Sequence, residues 1–155
     1  MKQNQSSSLL EKAIAIAVNA HVGQVDKAGA PYILHPLRMM HRAETDTERI
    51  VAVLHDVVED TAVTADDLRR EGFPDEIMGA LECVTKRAGE TYDASLARAA
   101  SNPIARRVKL ADLEDNMDVR RLQTVTERDA KRLSKYLVAW RRLMNDETRS
   151  TAQRS

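Results

Sequence analysis

Apolar residues along the chain recur at helical rather than alternating spacing, and glycine, proline and capping residues cut the pattern into short pieces. Ser8-Leu9-Leu10-Glu11 has capping-box spacing and opens a segment to about His21, with Ile14, Ile16 and Val18 as core candidates. In GQVDKAGAPYIL, Gly23, Gly29 and Pro31 interrupt any helix and make a loop. His35-Pro36 reads as the entry of a short helix that ends near His41, since proline is tolerated in a first turn. Thr47 begins the strongest candidate, TERIVAVLHDVVEDT. Thr64-Ala65-Asp66-Asp67 repeats the capping pattern ahead of a short helix that Gly72 and Pro74 end. Further helices are expected over 75–85, 92–100, 104–117 and 126–144, with Asn102-Pro103 separating the middle pair. The pattern shows no repeat, no linker and no useful strand alternation. It predicts an all-α bundle of seven or eight helices, one domain over 1–155 with its core at about 9–144 and frayed ends.

Residues 50–60 hold the most informative pattern. On a wheel at about 100° per residue, with His55 at zero, Glu59, Asp56 and Asp60 fall at roughly 40°, 100° and 140°. Val53, Val57, Ile50, Leu54, Val58 and Val51 fill the opposite arc, and only the small Ala52 lies among the polar set. One face is a wall of branched aliphatics, and the other carries one imidazole and three carboxylates. A solvated outer face is the ordinary explanation of such a polar side. Here no Lys or Arg occurs between Ile50 and Thr61, so the acids repel one another unless a cation relieves them. Adjacent His and Asp offer nitrogen and oxygen donors suited to Mn²⁺, Fe²⁺ or Zn²⁺. His35 stands at a loop-to-helix junction, and LADLEDNMD puts Asp112 and Asn116 on one helix face, apart from an apolar stripe of Leu110, Leu113 and Met117.

Composition removes several classes. Twenty-four basic and 24 acidic residues leave a formal net charge of zero, against the basic excess of a nucleic-acid coat. No apolar run reaches a membrane span, and MKQNQSSS lacks a signal peptide's apolar stretch. The single Cys83 excludes an internal disulfide, so a cytoplasmic chain without nucleic-acid or membrane partners is expected. Cys83 reads as a buried, inert core residue and Trp140 as a core anchor. His21 and His41 read as helix-end residues, and the basic positions Arg128, Lys131, Arg132, Lys135, Arg141 and Arg142 as solvated faces.

An isolated His, then His-Asp, then a distant Asp resembles the metal-site order of the HD-domain phosphohydrolases. GQVDKAGAPYILHP, LHDVVEDT, VTADDL, the VTK at 84–86 and KLADLEDNM resemble in particular the RelA/SpoT-type (p)ppGpp hydrolase branch and its small alarmone hydrolases, over about residues 9–122. The resemblance implies an all-α HD-domain bundle in which His35, His55, Asp56 and Asp112 bind one divalent ion, Mn²⁺ in this branch. It implies Glu59 and Asp60 as the pair that positions and activates a metal-bound water. The reaction it implies removes the 3′-diphosphate of ppGpp or pppGpp. Lys27, Tyr32 and Asn116 match nucleotide-contacting positions, and Lys86 and Tyr92 bracket another loop, RAGET, as a candidate to close on substrate.

The chain departs from that branch at two cations. The branch carries Arg just before the Lys, where this chain has Asp26, and often Arg two residues after the Asn, where it has Asp118. An anion at about 6 Å from a phosphate, with an effective dielectric of about 20, repels it by on the order of 2–3 kcal/mol before screening. Arg106, Arg107, Arg120 and Arg121 are candidates to restore positive charge, and Asp26→Arg is expected to raise ppGpp affinity. Two alternatives therefore stand beside ppGpp hydrolysis: an HD phosphohydrolase for another phosphorylated nucleotide, and a catalytically silent nucleotide-binding module. The oligomeric state is left open.

Overall fold

The computed structural model describes residues 2–152, with side chains described over 8–146. Among the described residues there are nine α-helices: α1 (Lys2–Ala20), α2 (Leu34–Arg42), α3 (Asp46–Leu54), α4 (Val57–Asp60), α5 (Ala65–Arg70), α6 (Asp75–Val84), α7 (Tyr92–Ala100), α8 (Pro103–Asn116) and α9 (Glu127–Ala152). A 3-10 turn, Val119–Arg121, follows α8, and the only β-type pairing described is one isolated bridge between Val25 and Pro31. The all-α expectation holds. The extra helix arises because the strongest predicted segment breaks at His55-Asp56. The backbone turns there, with Asp56 at φ −102° and ψ −2°. A continuous wheel over 50–60 therefore misplaces Ala52, which is fully buried in the core.

Side-chain caps explain the starts of α3, α5, α7 and α8. Thr45 accepts from Glu48 N, Thr91 from Ala94 N, and Asn102 from Ile104 N and Ala105 N with Pro103 in the first turn. Thr64 and Asp67 form the predicted capping box. Ser8 does not open α1, because that helix already runs from Lys2. The ends expected to fray are helical from Lys2 and as far as Ala152, while Met1 and residues 153–155 lie outside the described residues.

Helix α3 packs against α1, α2, α6 and α8, so its apolar residues form the centre of the main core with Met39, Leu68, Ile77, Leu81 and Val108. A second cluster joins α7, α8 and α9 through Leu96, Leu110, Leu113, Ala139 and Leu143, with Met117 and Trp140 packed against it. The predicted Leu110, Leu113 and Met117 stripe thus faces α9. Trp140 is half-buried and its Nε1 donates to Glu114 Oε1 at 2.9 Å. Cys83 is half-buried rather than enclosed. No described helix is long and apolar enough to cross a membrane.

Candidate metal centre and its two cavities

Three separate pieces of chain bring the predicted ligands together. Proline in the first turn of α2 anchors His35, the α3–α4 break presents His55 and Asp56, and the last turns of α8 present Asp112. One ligand atom each from His35, His55 and Asp56 can be chosen so that all lie within 4.8 Å of one another. Asp112 Oδ1 lies 3.2 Å from His35 Nε2 and 3.9 Å from His55 Nε2, so all four side chains converge. The rings of His35 and His55 meet edge to face with centroids 5.3 Å apart.

The groups behind each ring decide which nitrogen is offered. His55 Nδ1 lies 2.7 Å from the carbonyl of Ala52, which accepts its proton, and His35 Nδ1 lies 2.7 Å from Asp115 Oδ2. Both rings therefore direct Nε2 toward Asp56 and Asp112. His55 Nε2 is buried without a hydrogen-bond partner although Asp56 Oδ2 is 2.9 Å away. That orphaned nitrogen, facing a carboxylate it does not bond, fits ligands aimed at a common centre. The donor set of two imidazoles and two carboxylates suits a first-row divalent ion.

Electrostatics agree. Burial disfavours a charged His35, but the carboxylates of Asp112 and Asp115 outweigh it and raise its pKa to about 9. His55 is likewise raised against its burial, chiefly by Asp56. Asp112, despite burial, is held well below the usual carboxylate range by Lys109 and His35, and Lys109 Nζ donates to its Oδ2 at 2.6 Å. The carboxylates that raise both rings would also attract a divalent ion, which competes with protons for the same ring nitrogens.

Two cavities share this cluster. The first, about 290 Å³, is lined by the apolar Val25, Ala28 and Leu122 with Tyr32, by Lys27, Arg121 and Arg132, and by Asp26 and Asp118. The second, about 230 Å³, is lined by Lys86, Lys109 and Lys135 together with Glu59, Tyr92 and Tyr136. Asp56, Asp112 and Asn116 line both. The predicted Lys27, Tyr32 and Asn116 all stand on the first cavity, and Lys86 and Tyr92 on the second. Tyr32 donates a hydrogen bond to Asp56 Oδ2, and Asn116 Nδ2 donates to Asp112 Oδ1 at 2.7 Å. The loop that carries Lys27 is closed by Asp26 N to Ala30 O at 2.8 Å and Tyr32 N to Gln24 O at 2.9 Å, with Gly29 at φ +82°.

The two predicted acids separate. Glu59 lines the second cavity and accepts from Lys86 N at 3.1 Å, and partial burial followed by the charge of Asp56 pushes its pKa up. Asp60 lines neither cavity; its carbonyl accepts from Gln24 Nε2 at 3.1 Å, and burial and Asp56 raise its carboxyl. His21 is buried with Nδ1 2.8 Å from Gln24 Oε1.

Several site residues escaped the sequence reading. Asp115 is wholly buried behind His35, and Arg38 and Arg121 surround it. Arg132 and Lys135 of α9, read as solvated, line the two cavities, and Lys135 Nζ lies 3.8 Å over the Tyr92 ring. Their spacing of three on α9 was visible, but only packing against α8 shows which face is turned inward. Asp26 and Asp118 are not bare anions. Asp26 Oδ1 accepts from Ala28 N and Ala30 N while Oδ2 lies 3.3 Å from Arg121, and Arg120 holds Asp118 at 2.8 Å. Arg107 pairs instead with Glu48, away from both cavities.

No family model matches the chain. Among curated proteins it is 34% identical to a probable GTP pyrophosphokinase of Mycobacterium leprae over 71% of this chain and 16% of that protein. It is 32% identical to a guanosine-3′,5′-bis(diphosphate) 3′-pyrophosphohydrolase of Aquifex aeolicus over 84% of this chain and 20% of that protein. Its fold matches a solved metazoan orthologue of SpoT, described as hydrolysing ppGpp, with a TM-score of 0.72 and 24% identity over 89% of this chain and 84% of the other. The chain belongs to the HD-domain RelA/SpoT branch. It spans a fifth or less of these two curated relatives, aligning with one segment of much longer RelA/SpoT proteins. The RelA/SpoT motifs LHDVVEDT and KLADLEDNM are the same segments that meet in the His/Asp cluster.

Proposed function

We propose that the chain is a metal-dependent pyrophosphohydrolase that removes the 3′-diphosphate of ppGpp or pppGpp, with Mn²⁺ as its ion. One observation carries this reading: Asp56 and Asp112 of the His/Asp cluster line both a cavity with apolar residues and Tyr32 and a second, lysine-lined cavity. A nucleoside suits the first, where Tyr32 offers a ring face, Lys27 and Arg132 offer positive charge, and Asn116 offers an amide to a sugar hydroxyl. A diphosphate suits the second, among Lys86, Lys109 and Lys135. The scissile phosphorus then lies over Asp56 and Asp112.

An ion held by His35, His55, Asp56 and Asp112 would supply Lewis acidity, lowering the pKa of a coordinated water and polarising a phosphoryl oxygen. Glu59, on the second cavity beside His55, takes the proton of the attacking water, and its raised pKa suits a general base. Attack at phosphorus forms the new P–O bond as the 3′ O–P bond breaks, and the departing 3′-oxygen takes a proton from solvent water, yielding a 3′-hydroxyl and pyrophosphate. Lys109 and Lys135 balance the charge of the departing diphosphate. Asp60, outside both cavities, acts through its charge next to Asp56 rather than by contact.

The test is pyrophosphate release from ppGpp by Mn²⁺-loaded protein, with Asp56→Ala expected to lose both metal and turnover. Asp26 on the first cavity wall favours a second reading, hydrolysis of another phosphorylated nucleotide. Much faster turnover of such a nucleotide would replace ppGpp as the substrate. Nucleotide binding without cleavage of any phosphate ester would make the chain a binding module.

A further inference from the structure

Asp115 has no exposure at all, yet four cationic side chains reach it. Its Oδ2 is 2.7 Å from His35 Nδ1, and Arg38 donates through Nε to Oδ1 and through Nη2 to Oδ2, each at 2.8 Å. Arg121 Nη2 donates to its carbonyl at 2.7 Å and lies 3.4 Å from Oδ2, and Arg42 stands 3.9 Å from Oδ1. Burying a carboxylate carries a large desolvation cost even when it is paired, and apolar side chains of similar volume often stabilise as well or better. Stability alone is a weak reason for such a residue in the last turn of α8. Its contact with His35 is a stronger one.

We propose that Asp115 is a positioning residue for the metal centre, orienting His35 and strengthening its Nε2 as a ligand. The inference rests on the reading of His35, His55, Asp56 and Asp112 as a divalent-metal site. A carboxylate on Nδ1–H fixes the ring's tautomer and rotation and increases electron density at Nε2, as a neutral carbonyl does less strongly. The two imidazoles are therefore unequal: His35 is backed by a full negative charge and His55 by the Ala52 carbonyl. The bidentate Arg38 bridge fixes the carboxylate in turn, so α2 and α8 are locked where both contribute a ligand. Arg121 extends the same network to Asp26 on the first cavity wall, 3.3 Å away.

Calorimetric titration of the metal-free full chain with Mn²⁺ tests this, using wild type, Asp115→Asn and the neighbouring exposed Glu114→Gln. Asp115→Asn is expected to bind Mn²⁺ about 10–100-fold more weakly at a temperature where it is folded, with Glu114→Gln unchanged. Unchanged affinity in Asp115→Asn, with only a lower melting temperature, would make Asp115 a structural ion-pair partner and overturn the proposal. A second measurement needs no variant. Long-range ¹H–¹⁵N correlation on the Zn²⁺-loaded wild type should show His35 protonated at Nδ1 and metallated through Nε2, with its Nδ1 proton further downfield than that of His55. Metallation of His35 through Nδ1, or an Nδ1 proton no further downfield than that of His55, would overturn it equally. A wild type that takes up neither ion would instead fail the metal-site reading itself.

Discussion

Asp115 and Glu114 are neighbours of the same charge type with opposite fates. Asp115 is enclosed behind His35, whereas Glu114 is exposed and accepts from the Trp140 indole. A step of about 100° on the helix separates them, and nothing in LEDN marks which acid faces inward. The acids at 56, 59 and 60 differ in the same way, since Glu59 reaches the lysine-lined cavity and Asp60 does not. Glu59→Gln is accordingly expected to lower turnover by about 10²–10⁴-fold while Mn²⁺ stays bound, measured by pyrophosphate release beside metal analysis. Full activity in that variant would remove Glu59 from the mechanism. Asp26 also reads differently once its contacts are known. Its Oδ1 holds the loop turn and its Oδ2 engages Arg121, so Asp26→Arg loses the turn as well as adding a cation. Asp26→Asn can keep the turn and remove only the charge. A several-fold lower KM for ppGpp is expected from Asp26→Asn, and no such gain from Asp26→Arg.

At the scale of elements, local rules worked wherever a cap or breaker decided the boundary. The Thr64–Asp67 box forms as read, and Thr64→Ala is expected to cost about 1 kcal/mol in denaturant unfolding. They failed where chemistry interrupts a helix. The apolar run through residues 47–61 carries no glycine or proline, yet it breaks at His55-Asp56, where the imidazole takes up the Ala52 carbonyl and both side chains turn to the site. The loop after α6 shows a related dependence on side chains. Arg98 of α7 holds Glu90 at 2.6 Å and the Thr85 carbonyl at 2.8 Å, so one guanidinium ties α6, the loop and α7. The Arg98 hydrogen bonds hold the Glu90 carboxyl below its ordinary pKa. Its stabilising effect is therefore present above the ordinary glutamate range and fades as pH falls through that range to the lowered one. Amide exchange over 86–91, corrected for intrinsic rate, should accelerate across that range in wild type, whereas Glu90→Gln should start fast and change little.

For the molecule as a whole, zero net charge conceals a strong local imbalance. Asp56, Glu59, Asp60 and Asp112 gather at one end of α3, α4 and α8, with His35, His55 and Lys109 as the nearest compensation. Removing a divalent ion should therefore lower stability. At a free Mn²⁺ concentration about 100-fold above its dissociation constant, linkage supplies about 2.7 kcal/mol. For a chain of this size that corresponds to a rise in Tm of about 5–10 °C, readable by scanning calorimetry with and without chelator. Asp56→Ala should abolish the rise.

Periodicity, caps and breakers, all local in the chain, determined that this protein is helical and where most helices begin and end. The apolar-backed His-Asp pair was legible as chemistry by itself, whereas the full set of four candidate ligands came from the resemblance of these strings to the HD-domain phosphohydrolases. What no local rule contains is the meeting of residues 35, 55, 56 and 112 from separate helices, the two cavities on either side, and the burial of Asp115. Those follow from packing α3 against α2 and α8, and α9 across α8. Helical spacing determines which side chains share a face; only the assembled core determines which face looks into the site.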